Sequence, residues 1–369
     1  MKGEYEKMST VYFTDMSTTP GMSLLQKLKL LVDRTGISEV VKKDDLVAIK
    51  IHFGEYGNMA YIRPNYVRVL TDRVKELGGK PFLTDANTLY KGSRSNAIDH
   101  LWTATVNGFV QEVTGAPLVI ADGLRGSDEV EVPIDGQYVK NAKIGSAIAL
   151  SNVVIAVTHF KGHEQTGFGG TLKNLGMGSA SRSGKLEQHS TSKPVVVTDN
   201  CTACGMCERH CPTGAVKVVK GENGKRYALI DYDACIGCGE CVAMCDYGAM
   251  TPQWNASSDL LSMKIAEYSK AVLKDKRGLF ISFITNVSPD CDCWSINRPP
   301  VAPDIGIAAS TDPVALDQAC IDLVIKTVGK DPFHEVHPEV SWKAQLEHGE
   351  KIGLGSRKYE LKMVGIALR

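Results

Sequence analysis

Cys201-Thr202-Ala203-Cys204-Gly205-Met206-Cys207-Glu208-Arg209-His210-Cys211-Pro212 is answered further on by Cys235-Ile236-Gly237-Cys238-Gly239-Glu240-Cys241-Val242-Ala243-Met244-Cys245-Asp246. Each half reads Cys-x2-Cys-x2-Cys-x3-Cys. In this pattern three closely spaced thiolates hold three irons of one cubane, and the fourth Cys crosses to the other cluster. The spacing therefore predicts two 4Fe-4S clusters. Cys201, Cys204, Cys207 and Cys245 would hold the first, and Cys235, Cys238, Cys241 and Cys211 the second. Two-residue gaps let a tight loop wrap a cubane corner. The three-residue gap then starts a short helix that carries the fourth thiolate away. Zinc sites use Cys-x2-Cys pairs but not this triple run twice over. A disulfide framework needs an oxidising compartment, which nothing else in the chain suggests.

Short strands at Val195–Thr198, Val216–Val219 and Tyr227–Ile230, with a turn at Glu222-Asn223-Gly224, complete the surroundings of the repeat. Outside it, apolar strand runs alternate with helical periodicity: Val11–Phe13, Leu46–Ile51, Lys80–Leu83, Pro117–Ala121, Ser151–Val157, Leu279–Ile284 and Ile305–Ala309. Continuous apolar strands separated by helices predict an α/β fold with a mainly parallel sheet covered by helices on both faces. Host sequence flanks the Cys-rich repeat on both sides. The expected organisation is thus an α/β host in residues 1–193 and 255–369, interrupted at 194–254 by an α+β ferredoxin-like domain.

The 42 basic and 42 acidic residues balance, leaving no basic field for nucleic acid and no polybasic membrane anchor. Met1-Lys2-Gly3-Glu4-Tyr5-Glu6-Lys7 is polar, and no apolar run reaches the length of a membrane span. Thiolate ligands need a reducing compartment, so the chain reads as cytoplasmic.

Host strands end in polar residues: His52, Asp85, Asp122, His159-Phe160-Lys161-Gly162-His163, Asp290 to Cys293, and Ser310 to Asp312. In open α/β sheets ligands bind at the carboxyl ends of strands. Asp122, Ser310 and Asp312 read as caps and turns. His159, Lys161 and His163, three such side chains within five residues, read as functional. Gly167, Gly169 and Gly170 ahead of Lys173 suggest a turn whose N–H groups cradle an anion. That turn matches neither a Walker loop nor a dinucleotide fingerprint, so ATP and NAD are not indicated. Cys291 and Cys293 read equally as a metal ligand pair or as two reduced thiols, and Cys320 as core. His189 lies just before the ferredoxin-like stretch. It is expected in one cleft with His159, Lys161, His163 and Lys173, where the crowding imidazoles would depress the Lys173 amine.

Lys50-Ile51-His52-Phe53-Gly54-Glu55, Thr84-Asp85-Ala86-Asn87-Thr88, His159-Phe160-Lys161-Gly162-His163, Gly167-Phe168-Gly169-Gly170-Thr171-Leu172-Lys173-Asn174, Cys291-Asp292-Cys293 and Ser310-Thr311-Asp312-Pro313-Val314-Ala315-Leu316-Asp317 together resemble the family catalogued as domain of unknown function 362, in its form with an inserted ferredoxin unit. That resemblance covers nearly the whole chain and implies Fe–S binding. The spacing of His163, Lys173 and His189 around Gly169-Gly170 is more distantly similar to the nickel-pincer lactate racemases. That likeness implies Lys173 as a cofactor tether, His189 as a nickel ligand and His163 as a base.

Three readings follow. One is an iron–sulfur oxidoreductase relaying electrons between a donor or acceptor protein and a small-molecule substrate held by His52, His159, Lys161, His163 and Lys173, with a flavin as a further candidate cofactor. The second is a non-catalytic electron carrier. The third is a racemase- or isomerase-like enzyme with a nickel-containing organic cofactor on Lys173.

Overall fold

The structure is a computed structural model describing residues 8–189, 193–221, 224–235, 237, 239–253 and 256–365. Met1–Lys7, Glu222-Asn223 of the expected turn, the cluster candidate Cys238 and the boundary residue Trp254 lie outside the described residues.

An eight-stranded sheet forms the frame. Its strands are β1 (Ser9–Asp15), β2 (Leu46–Ile51), β3 (Lys80–Asp85), β4 (Leu118–Ile120), β5 (Val153–His159), β6 (Arg277–Ile284), β7 (Gly306–Ser310) and β8 (Tyr359–Met363). The spatial order is β8-β1-β7-β6-β5-β2-β3-β4. All pairings are parallel except those of β7, which runs antiparallel to both β1 and β6. The fold is thus α/β with a mainly parallel sheet. The reversal of β7 has a consequence for the site: Ser310–Asp312 emerge at the opposite edge from His52, Asp85 and His159. There Asp312 accepts the N–H groups of Val314 and Ala315 and starts the helix that follows.

The strands read as continuous apolar runs because both faces are covered. Val47, Ile49 and Ile51 of β2 enter the core formed with helices α1 (Leu24–Arg34) and α2 (Pro64–Glu76). Ala48 enters the other core. That second core is built with α4 (Thr171–Ser179), α6 (Ser258–Leu273) and α7 (Pro313–Val328), while α3 (Ala97–Val106) and α5 (Arg182–His189) flank the site edge. Small strand residues such as Ala48 and Ala156 let α4 lie close to the sheet. A Cβ on Gly176 of α4 would stand 2.2 Å from the Ile265 carbonyl oxygen of α6, so this helix crossing requires glycine.

The Cys-rich stretch folds into its own small elements. Val195–Val196 pairs antiparallel with Met250–Thr251, and Val216–Lys220 with Arg226–Ile230. Left-handed backbone recurs at Ala203, Gly205 and Gly214, and again at Gly237, Gly239 and Gly248. The sequence repeat is therefore also a repeat of backbone conformation. A third apolar cluster gathers Cys207, Val216, Ala228, Ile230, Cys241, Val242 and Met250, and Leu89 and Leu186 of the host complete it.

Candidate active site

The carboxyl ends of β2, β3, β5 and β6 surround a cavity of about 570 Å³, within the size range of small-molecule sites. Local structure explains how each side chain reaches it. In β2, Lys50 alternates with the apolar residues onto the α4 face. Its Nζ donates to Asn174 Oδ1 at 2.8 Å and pairs with Asp85 at 2.9 Å. Burial draws the Lys50 amine down. Against the upward pull of burial, Lys50 and His100 hold Asp85 well below the ordinary carboxylate range.

After β5, Lys161–His163 pairs antiparallel with Gly167–Gly169. A Cβ at Gly162 would stand 2.1 Å from the Pro289 carbonyl oxygen, so this hairpin presses directly on the loop after β6. Phe160 and Phe168 stack beneath it with centroids 5.0 Å apart, backed by Phe333 and Trp342. This platform presents Lys161 and His163 to the cavity and returns the chain to α4, whose first turn carries Lys173.

His52, Lys161, His163, Lys173 and His189 all line the cavity. His159 does not. Its ring is fixed between the Asp292 carboxylate, 2.9 Å from Nδ1, and the Thr285 carbonyl, 3.0 Å from Nε2. It belongs to the supporting wall because Asp292 alternates away from Cys291 and Cys293. The glycine turn also differs from expectation. Its Thr171 and Leu172 N–H groups donate to Asp317 of α7 at 2.7 and 2.9 Å. A Cβ at Gly170 would collide with that carboxylate, 2.5 Å from Oδ1. Gly170 therefore admits an internal carboxylate rather than an external anion, while a Cβ at Gly167 would press on Trp342 and one at Gly169 on Lys173 and Lys161.

Lys173 is corrected as well. Its Nζ stands 3.0 Å from Cys291 Sγ and 3.9 Å from Cys293 Sγ. Burial lowers the amine, but the two cysteines and Glu164 outweigh it and raise Lys173 above its ordinary value. The hydrogen bond with Cys293 and the Lys173 charge bring Cys291 down to about 6 against burial. Cys293, by contrast, is raised, first by Cys291 and then by burial.

Burial, reinforced by neighbouring charge, pushes His163 and His189 each down to about 3, leaving neutral imidazoles. Lys185 falls to about 8, again chiefly by burial. It lies one helical turn before His189 on α5, so both reach the cavity. Leu186 of the same helix enters the Cys-rich cluster, where a Cβ on Gly239 would meet it at 2.9 Å. Helix α5 is thus a wall shared by the cavity and the Cys-rich stretch.

Sequence reasoning passed over Lys50, Lys185 and the acidic Glu164. A lysine inside an apolar strand was a signal, as was the four-residue spacing of Lys185 and His189. The cavity lining holds Lys50, Lys91, Arg94, Lys161, Lys173 and Lys185 against Asp85 and Glu164. Such a surplus suits an anionic small molecule, with neutral imidazoles available to accept its proton.

In the Cys-rich stretch, Cys201, Cys204, Cys207 and Cys245 line one small cavity. The Ala228 N–H donates to Cys201 Sγ at 3.3 Å, and the Ala249 N–H to Cys245 Sγ at 3.2 Å. Among the described residues, no group of three or more His, Cys, Asp or Glu stands close enough to hold a single metal ion. No described helix is long and apolar enough to cross a membrane.

No curated protein matches the chain. Its structure is similar to that of the lactate racemase apoprotein from Thermoanaerobacterium thermosaccharolyticum. The identity is 11% and the TM-score 0.42, over 86% of this chain and 57% of that one. A protein from Thermotoga maritima solved by a structural genomics consortium is similar at 9% identity and a TM-score of 0.33, over 70% of this chain and 49% of that one. The family model described as domain of unknown function (DUF362) matches residues 47–322, well over half of the length, and the chain belongs to that family.

Proposed function

We propose that this chain is an iron–sulfur protein carrying two 4Fe-4S clusters beside a cavity that binds a small anionic substrate, and that it acts as an oxidoreductase. The observation that carries this reading is the meeting of Cys245 with Cys201, Cys204 and Cys207 around one cavity. That is the crossed ligand set of the two-cluster pattern. A cubane spreads its four thiolates over four irons, so its ligands stand farther apart than those of a single ion. Backbone N–H groups of Ala228 and Ala249 point at the Cys201 and Cys245 sulfurs, as donors do around cluster ligands. Cys211, Cys235 and Cys241 flank the same apolar cluster and would hold the second cubane with Cys238. Clusters bound there would supply single-electron transfer.

The host residues would do the rest. Lys161, Lys173 and Lys185 attract and orient the anion, and His163 and His189, held neutral, accept a proton from it. Protein purified without oxygen should contain about eight iron and eight sulfide per chain, because each cubane holds four of each. Zinc in place of iron, or no metal, would remove the reading.

One observation favours a second reading, a racemase-like enzyme with a cofactor on Lys173: His163, Lys173 and His189 share the cavity. The charged state of Lys173 between two cysteines weighs against it, since a tether needs a neutral amine. Nickel and a mass adduct on Lys173 would reverse the preference.

A further inference from the structure

Cys291 and Cys293 are absorbed by neither reading above, yet Cys293 lines the cavity and its sulfur stands 3.0 Å from that of Cys291. Three features distinguish them from core thiols such as Cys320. Lys173 places an ammonium 3.0 Å from Cys291 Sγ, and the Cys293 N–H points at the same sulfur at 3.4 Å. Cys293 lines the cavity, whereas Cys291 is buried behind it at 1% exposure. His52 Nε2 stands 3.6 Å from Cys293 Sγ, and burial keeps that imidazole neutral and able to take a proton.

From this geometry we infer that Cys291 and Cys293 form a redox-active dithiol that exchanges with disulfides entering the cavity. Cys293 is the attacking sulfur and Cys291 the resolving one. The Cys293 proton passes to His52, and the sulfur attacks one sulfur of the incoming disulfide. That S–S bond breaks, and the leaving thiolate takes the proton from His52. The Cys291 thiolate, stabilised by Lys173, then attacks Cys293 Sγ and expels the second sulfur as a thiolate. The pair loses two electrons and one proton, and the disulfide leaves as one thiol and one thiolate. The two sulfurs need to close only from 3.0 Å to about 2.05 Å to join. This assignment is independent of cluster content.

The test uses the full chain, purified without oxygen and incubated with oxidised glutathione, then alkylated and mapped by peptide mass. The expected product is a disulfide within the peptide containing Cys291 and Cys293, reversed by dithiothreitol. In Cys291→Ser, glutathione should remain attached at Cys293, at least about tenfold above the wild-type level, because the resolving sulfur is gone. Both cysteines alkylated as free thiols in the wild-type map would overturn the inference, as would an adduct on Cys291 in Cys293→Ser at the level seen on Cys293. The wild-type map does not depend on how either variant folds.

Discussion

Lys185 donates from Nζ to the Ala180 carbonyl and feels Asp122 and Asp85 at longer range, with Lys50 and Arg94 opposing them. Burial leaves its amine near 8, so the neutral, nucleophilic form should grow as pH rises through about 8 rather than through the ordinary 10.5. Lys173 is shifted the other way and should stay charged over that range. Peptide-mapped labelling with an amine-reactive reagent should therefore modify Lys185 with a midpoint near 8 and spare Lys173. Labelling of Lys185 only alongside the exposed lysines would contradict the assignment. The thiolates offer a second residue-level prediction. Cys245→Ser should lower iron from about eight to about four per chain while leaving the cubane assigned to Cys211, Cys235, Cys238 and Cys241. Loss of that second cubane instead would reverse the crossed assignment. At this scale the sequence pointed to His163, Lys173 and His189 through their density and position. It did not point to Lys185, because a lysine in a polar helical stretch reads as solvated until the packing of Leu186 turns the helix.

Helix α4 shows why element-scale reading is partial. The preceding glycines announce a tight turn, but neither the helix that follows nor what fills that turn. The answer, Asp317, comes from α7, far along the chain, and accepts two N–H groups that α4 cannot satisfy internally. Burial raises this carboxyl to about 6. Asp317→Ala should lower stability to urea by about 2 kcal/mol or more, since it strands two buried donors. Asp317→Asn, which keeps an acceptor, should cost less, and equal losses in the two variants would show that the bonds contribute little. Strand direction was similarly hidden. Apolar runs with helices between them mark β1 to β7 as strands, yet the reversal of β7 depends on pairing with β1 and β6. Hence Asp312, which follows a strand as Asp85 ends one, lies at the far edge.

For the whole molecule, the Cys-rich stretch has its own apolar cluster, but Leu89 and Leu186 reach into it from the host. Expressed alone, residues 194–254 should take up about eight irons on anaerobic reconstitution, because metal binding supplies much of a small module's folding free energy. Failure to load any iron would show that these host leucines are indispensable. The repeat made this stretch legible from spacing alone, whereas its attachment through Leu186 could be seen only in three dimensions. The paths of entry and exit carry the matter further. The chain leaves the host at His189 and returns at Ala256, whose N–H donates to the His189 carbonyl, and Val195 meets Thr251 a few residues beyond. To the sheet, everything between is a tight turn that happens to have a long tip. Loop closure grows only slowly with length, by about 0.6 kcal/mol per doubling. A frame joined in this way should tolerate shortening or exchange of the stretch between His189 and Ala256 at little cost in closure entropy.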